Sequence, residues 1–204
     1  MKIDTVIIYT YISDNEKYLI ERANEFLEFQ SNSRESFLGR KLIFEGLKIL
    51  GINNLSYKQI EYSKLGKPYF KTTDSTLDFN ISHSGDIVIC VVSNSCKVGI
   101  DIEKVKPIEI YNFKDHFSKN EWDSLEETTN PLDLFYSYWT QKEAILKANG
   151  YGISVPLLKI EAISKSISFE GQSWYAEHLK LDILYKSCLI SKKPVHYLIK
   201  QINF

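Results

Sequence analysis

No apolar run in the sequence approaches the roughly 20 residues that a membrane-spanning helix needs, so no membrane is expected among its partners. Neither sign of charge is in excess. Lys and Arg number 25 against 26 Asp and Glu, for a formal net charge of -1, and the global signature of a nucleic-acid or anionic-membrane binder is missing. Cysteine is scarce. Cys90, Cys96 and Cys188 are odd in number and lack metal-ligand spacing, which argues against a disulfide framework or a zinc site and for free thiols in a reducing cytoplasm. There is no low-complexity segment and no long linker, which favours parts packed tightly together. A signal peptide is not expected either. In the opening MKIDTVIIYTYISDNEK the apolar run is short, carries Asp4 and lacks a small-residue cleavage site, so it reads as a first strand.

What is present suffices for a sizeable core, with 44% hydrophobic content over 204 residues. A strand is expected from Lys2 to Ile12. Ser13 and Glu16 have capping-box spacing and open a helix to about Phe29; a second helix runs from about Ser33 to Leu50, stopped by Gly51. Short strands follow: QIEYSK, the turn LGKP, LDFNIS, the turn HSGD, IVICVVS, and KVGIDIEKV after NSCK. Beyond Lys106–Pro107 the order repeats. Ser118 and Glu121 cap a short helix, Asn130–Pro131 opens a long one that ends at Asn149–Gly150, and LLKIEAIS, SISFEG, LDILYKSCLIS and HYLIKQINF read as strands. The expectation is an α+β fold of two similar halves, 1–105 and 106–204.

In KVGIDIEKV, residues two apart share a face. Val98, Ile100 and Ile102 therefore face one way, and Asp101 and Glu103 the other with Gly99. The two carboxylates are either a solvated outer face or part of a hard-cation site of the kind Mg²⁺ occupies. Glu143 and Lys147, four apart on the long helix, share a face. They are either an exposed helix pair or a third carboxylate with a phosphate-holding lysine. In FNISHSGD, Ser82 and His83 are either turn residues or, with the turn's backbone N–H groups, a phosphate cradle. The GKP turn brings Lys67 and a glycine that lets backbone approach a ligand.

In this order and spacing FNISHSGD, VGIDIEKVKP, FSKNEW and WTQKEAILKANGYGI resemble the 4′-phosphopantetheinyl transferases, and among them the larger two-halved group of the surfactin-synthetase-activating, or Sfp-like, type. The resemblance implies an enzyme that moves the 4′-phosphopantetheine arm of coenzyme A onto a serine of an apo acyl or peptidyl carrier protein. Adenosine 3′,5′-bisphosphate would be released. By position it implies that Asp101, Glu103 and Glu143 bind Mg²⁺, and that Ser82, His83 and Lys147 contact phosphate. Gly66, Lys67 and Pro68 would lie near the adenine, and Glu121 would help deprotonate the serine, although Glu121 also fits as a helix cap opposite Ser118.

One position departs from the family. Four residues before Leu38–Gly39, where an arginine usually binds the ribose phosphate, the segment reads Arg34–Glu35, with Glu35 in the arginine's place. Since one residue turns a helical side chain by about 100°, the phosphate contact falls to Arg34 at the helix start, or to Arg40, Lys17 or Arg22. Both halves lie in one chain, so a cytoplasmic monomer is expected. The competing readings are a Mg²⁺-dependent coenzyme A pyrophosphate hydrolase and a non-catalytic module that binds coenzyme A or carrier.

Overall fold

The computed structural model describes residues 2–12 and 33–204. The helix expected from Ser13 to about Phe29, with Lys17 and Arg22, lies outside the described residues. In chain order the elements are β1 (Thr5–Tyr11), α1 (Arg34–Ile49), β2 (Ile60–Tyr62), β3 (Pro68–Phe70), β4 (Asp78–Ser84), β5 (Ile87–Ser93) and β6 (Val98–Lys104). Then follow α2 (Lys119–Glu127), α3 (Pro131–Asn149), β7 (Ser166–Phe169), β8 (Gln172–Leu179), β9 (Tyr185–Ser191) and β10 (Tyr197–Gln201). The architecture is α+β, as the sequence implied. None of the described helices is long and apolar enough to cross a membrane.

Local signals set the helix ends. The Ser33 side chain caps α1 by accepting from the Ser36 N–H, and Gly51 follows with φ +77°. At α2 both halves of the Ser118–Glu121 capping box are formed. Asn130 accepts from the Asp133 N–H at the start of α3, Pro131 takes the first turn, and Gly150 ends the helix in the left-handed conformation at φ +76°.

Two four-stranded sheets carry the chain, in orders β10-β1-β5-β4 and β6-β9-β8-β7, with β2 and β3 as a separate hairpin. Among the described residues β10 joins β1 in parallel, and every other pairing is antiparallel. The sheets therefore exchange strands along the chain: β6 pairs with β9, and β10 with β1.

Strand alternation divides the apolar residues among three layers of core. On one face of the first sheet, Val6, Ile8, Val88, Cys90 and Val92 pack against Leu38, Leu42 and Leu47 of α1. On its other face, Ile7, Ile87, Ile89 and Val91 meet Val98, Ile100 and Ile102 of β6 and Leu189 of β9. The far face of the second sheet, through Trp174, Ala176, Cys188 and Ile190, receives Ala144, Ile145 and Ala148 of α3. The layers run helix, sheet, sheet, helix. α2 docks alongside α3 through Trp122, Leu125, Phe135 and Tyr138.

The seam between the sheets is polar at one edge. β6 is an edge strand, and an edge with unpaired N–H groups needs acceptors. β4 supplies them from side chains on one of its faces. Asp78 Oδ2 accepts from the Val98 N–H (2.9 Å), Asn80 Oδ1 from the Ile100 N–H (3.0 Å) and Ser84 Oγ from the Lys104 N–H (3.1 Å). Each such bond nets only about 0.5–1.5 kcal/mol, against ~1.5–3 kcal/mol for each fully buried Val or Ile. The apolar interface holds the sheets together, and the polar seam fixes their register.

Three strand expectations differ, the first being the short β3, Pro68–Phe70, which was not foreseen. LLKIEAIS is no strand: Leu157–Lys159 form a 3₁₀ turn and the rest is irregular. Its backbone is used elsewhere, since the Leu157 and Ile160 carbonyls accept from the Lys142 ammonium and the Ala162 N–H donates to Glu121. Conversely, the polar-rich QSWYAEHL, not foreseen, is β8, with Trp174, Ala176 and Leu179 turned inward.

At Gly99 on β6 an added Cβ would lie 2.1 Å from the Ala144 carbonyl oxygen and 2.6 Å from the Ala148 nitrogen, both backbone atoms of α3. The helix rests on the strand with no space for a side chain. Gly99→Ala is expected to cost about 3 kcal/mol, the upper part of the overpacking range. Urea denaturation measures it, and an unchanged midpoint would refute the tight contact.

Candidate active site

The close approach at Gly99 covers the acidic face of β6. Asp101 is 2% exposed, so the face expected to be either solvated or a ligand site is shielded. The Asp101 Oδ1 atom accepts from the Lys147 ammonium (2.6 Å) and from the Ser82 hydroxyl (2.8 Å), and Lys147 also donates to Ser82 (2.8 Å). Asp101 Oδ2 is buried with no hydrogen-bond partner. Glu103 takes a bond from the Ser84 hydroxyl at 2.7 Å. Glu143 stands half-buried, one turn before Lys147.

All three carboxylates are pushed above their ordinary range. Burial is the main cause for each. The charge of Asp101 adds to the rise at Glu103, and those of Asp101 and Glu103 to the rise at Glu143; Lys147 opposes it at all three. The groups thus feel one another. They do not form a finished cation cage, for among the described residues no three His, Cys, Asp or Glu side chains are arranged to hold a metal. The ammonium of Lys147 sits on Asp101 instead. The donor chemistry nevertheless fits Mg²⁺, with hard oxygens, a like-charged cluster and an orphaned buried carboxylate oxygen.

The remaining expected residues are placed as follows. Gly66, Lys67 and Pro68 line a cavity of about 200 Å³ together with Asn80, Lys147 and Gly150, so the turn expected near the adenine stands beside the lysine expected near phosphate. The Lys67 ammonium itself points inward. It pairs with Asp78 (2.8 Å) and donates to the Ala148 carbonyl (3.0 Å) near the end of α3, where a cation suits the helix dipole. Burial holds its pKa down. Ser82 and His83 are separated, because β4 continues to Ser84 and neighbours on a strand face opposite ways. Ser82 is buried on Asp101 while His83 is exposed, on the side where its charge acts on Glu35. Arg34 is the first residue of α1. The Glu35 carboxylate is held low by its own backbone N–H and by Ser33. Arg40 Nη2 donates to the Tyr62 hydroxyl at 3.4 Å.

Glu121 is fully buried. One carboxylate oxygen accepts from the Ser118 N–H (2.8 Å) and the Lys142 ammonium (2.8 Å), and the other from the Ala162 N–H (2.6 Å). Lys142 is equally buried, with its pKa lowered by desolvation. Of the two readings of Glu121, the helix cap is present. The pair also ties α2 and the 157–162 segment to α3 immediately beside Glu143. Sequence reasoning missed Lys142, Asp78, Asn80 and Ser84. The alternation of polar residues along DFNISHS was the available signal for the last three.

Comparison with known proteins gives the family. A family model for the 4′-phosphopantetheinyl transferase superfamily matches residues 97–193, from β6 through β9. The L-aminoadipate-semialdehyde dehydrogenase-phosphopantetheinyl transferase of Schizosaccharomyces pombe is 30% identical over 210 residues, covering 86% of this chain and 80% of its own length. The 4′-phosphopantetheinyl transferase gsp of Aneurinibacillus migulanus is 32% identical over 157 residues, covering 74% of this chain and 62% of its own. The 4′-phosphopantetheinyl transferase Sfp of Bacillus subtilis is 43% identical over 96 residues, 46% of this chain and 41% of its own. The chain thus belongs to the 4′-phosphopantetheinyl transferase superfamily. It spans less than two thirds of the length of several of the relatives it matches, the A. migulanus and B. subtilis proteins among them.

Two outcomes test the electrostatics. A buried acid whose folded pKa is raised adds stability only when protonated, and that stability is lost as pH rises through the raised value. Without cation, Glu143→Gln is therefore expected to raise Tm by a few degrees at pH 7.5 in chelator, with a smaller difference at pH 5, as scanning calorimetry would show. Lys142→Met leaves Glu121 buried and unpaired and is expected to cost about 3–5 kcal/mol in urea denaturation, with much of the loss recovered in the double variant Glu121→Gln/Lys142→Met.

Proposed function

We propose that the protein is a 4′-phosphopantetheinyl transferase, which moves the phosphopantetheine arm of coenzyme A to a serine hydroxyl of an apo carrier protein. One observation carries the reading. Within a chain of this superfamily, Asp101 with its orphaned oxygen, Glu103, Glu143 and Lys147 meet beside the cavity of Gly66, Lys67 and Pro68. Coenzyme A would lie where the two halves, 1–105 and 106–204, come together. Asp101, Glu103 and Glu143 would hold Mg²⁺, which supplies charge neutralisation at the pyrophosphate.

Transfer of this kind needs positioning and charge stabilisation more than covalent chemistry. Lys147 is suited to a phosphate oxygen, because its ammonium already lies at the mouth of the site on Asp101. Ser82, whose hydroxyl is held between Asp101 and Lys147, would lie next to that phosphate. Arg34 and exposed His83, both near the start of α1, would contact the ribose phosphate. A serine hydroxyl is a weak nucleophile and needs a base. A carboxylate near the bound serine would take that proton. Glu121, buried under Lys142, acts by anchoring α2 rather than by meeting substrate. With these residues on one chain and Cys90 and Cys188 buried as free thiols, a monomer working in the reducing cytoplasm is the accompanying reading.

Incubation with coenzyme A, Mg²⁺ and an apo carrier is expected to add the mass of one phosphopantetheine group to the carrier. Adenosine bisphosphate released equally without carrier would indicate hydrolysis instead, and no turnover would indicate binding alone. Asp101→Ala and Glu143→Ala are each expected to lower transfer by at least roughly 10²-fold, the scale of losing a group that stabilises transition-state charge, with circular dichroism unchanged. Near-normal activity in either variant would overturn the metal assignment.

A further inference from the structure

The carboxylates of β6 are met by hydroxyls of β4 in matched register. Ser82 and Ser84 are two apart on β4, and Asp101 and Glu103 two apart on β6, so each pair shares a face. Ser82 donates to Asp101 at 2.8 Å and Ser84 to Glu103 at 2.7 Å. Each hydroxyl is also an acceptor. Ser82 receives the Lys147 ammonium at 2.8 Å, and Ser84 receives the Lys104 N–H at 3.1 Å. A serine hydroxyl has one proton to donate. With the acceptor side engaged by a backbone amide, the Ser84 proton goes to Glu103 Oε2. Glu103 makes no other hydrogen bond among the described residues, and only Oε2 is engaged. A glutamate is a long side chain with much rotamer freedom to lose, up to about 1.5–2 kcal/mol, so without this bond its carboxylate has no fixed place.

We infer that Ser84 is a positioning residue, whose hydroxyl fixes the Glu103 carboxylate for a divalent cation as Ser82 fixes that of Asp101. The inference rests on the cation-binding reading given under the proposed function. One oxygen of each carboxylate is tied to β4, which leaves Asp101 Oδ2 and Glu103 Oε1 for the ion. The rigid part of the site is then the β4–β6 seam. Glu143, on the helix, has no such tether among the hydrogen bonds of the described residues and completes the set from the other side.

The test is binding of Mn²⁺, followed by the electron paramagnetic resonance signal of the free ion, in the whole protein and without coenzyme A. Ser84→Ala is expected to weaken Mn²⁺ binding by about tenfold or more, the usual effect of removing a group that orients a metal ligand. Ser84→Thr, which keeps the hydroxyl, is expected to restore it. In transfer assays the alanine variant is expected to need about ten times more Mg²⁺ for half its maximal rate. An alanine variant that is folded by circular dichroism and binds Mn²⁺ within about twofold of the unaltered protein would overturn the inference, as would a threonine variant as weak as alanine. If alanine prevents folding, Ser84→Cys, of similar volume and a weaker donor, replaces it in the same titration, and unweakened binding again overturns it. The two readings fail differently. No Mn²⁺ binding by the unaltered protein removes the cation reading and the role of Ser84 with it, whereas equal binding by the unaltered and alanine proteins removes only the role of Ser84.

Discussion

The arrangement depends on one contact, the backbone of α3 lying directly on β6 at Gly99. Ala144 and Ala148, one turn apart, meet the glycine with their backbone and smallest side chains. Glu143 and Lys147 precede those alanines by one residue each. A one-residue step turns a helical side chain by about 100°, so both hang over the same flank of the strand. That flank carries Asp101, two residues on from Gly99 on the same face. Widening the contact by one methyl group would therefore move an acid and a base together, relative to a third group that the strand holds fixed.

The second constraint is the way the two sheets join at their edges. Had β4 and β6 paired backbone to backbone, their side chains would have alternated away from the junction. Because side chains of Asp78, Asn80 and Ser84 accept the β6 amide protons instead, a row of short polar groups lies along the seam. Further along the same seam Lys67 bridges Asp78 to the Ala148 carbonyl. The residue joins strand, sheet edge and helix end at the rim of the cavity expected to take a ligand. Burying an ammonium is unfavourable unless its partners are good, and here a carboxylate and a helix carbonyl provide them.

How far this was legible in the sequence follows from the range of the forces involved. The Ser118–Glu121 box, Asn130–Pro131 and Gly150 act within a few residues, and they mark the helix ends of α2 and α3 in both sequence and structure. The segment 157–164 looked like a strand because its apolar spacing is strand-like. Its backbone groups are instead taken by Lys142 and Glu121, which are distant in sequence. KVGIDIEKV revealed which residues share a face, but alternation does not say that both faces are buried. Gly99 was the clue, since glycine inside a strand often marks the close approach of another backbone. Likewise, the polar alternation in DFNISHS does not name its partner, because β6, which buries it, comes after a whole intervening strand.

The charge balance of the site follows from the same geometry. Three carboxylates against one ammonium leave negative charge in excess in a place that water reaches poorly. Burial raises all three acids, and repulsion adds to the rise at Glu103 and Glu143, so the free protein holds the cluster at a cost. Lys147 offsets part of it by sitting on Asp101. A divalent cation would offset more, since it carries twice the charge and satisfies the orphaned Asp101 Oδ2. Under the proposed function it would also loosen the hold of Asp101 on Lys147, because a carboxylate shared with the ion attracts the ammonium less. The lysine would then be drawn to the next negative group available, a phosphate in the adjoining cavity. Under that reading the cluster would be least stable empty and best matched with ion and anion both present, which would couple the two binding events through a single side chain.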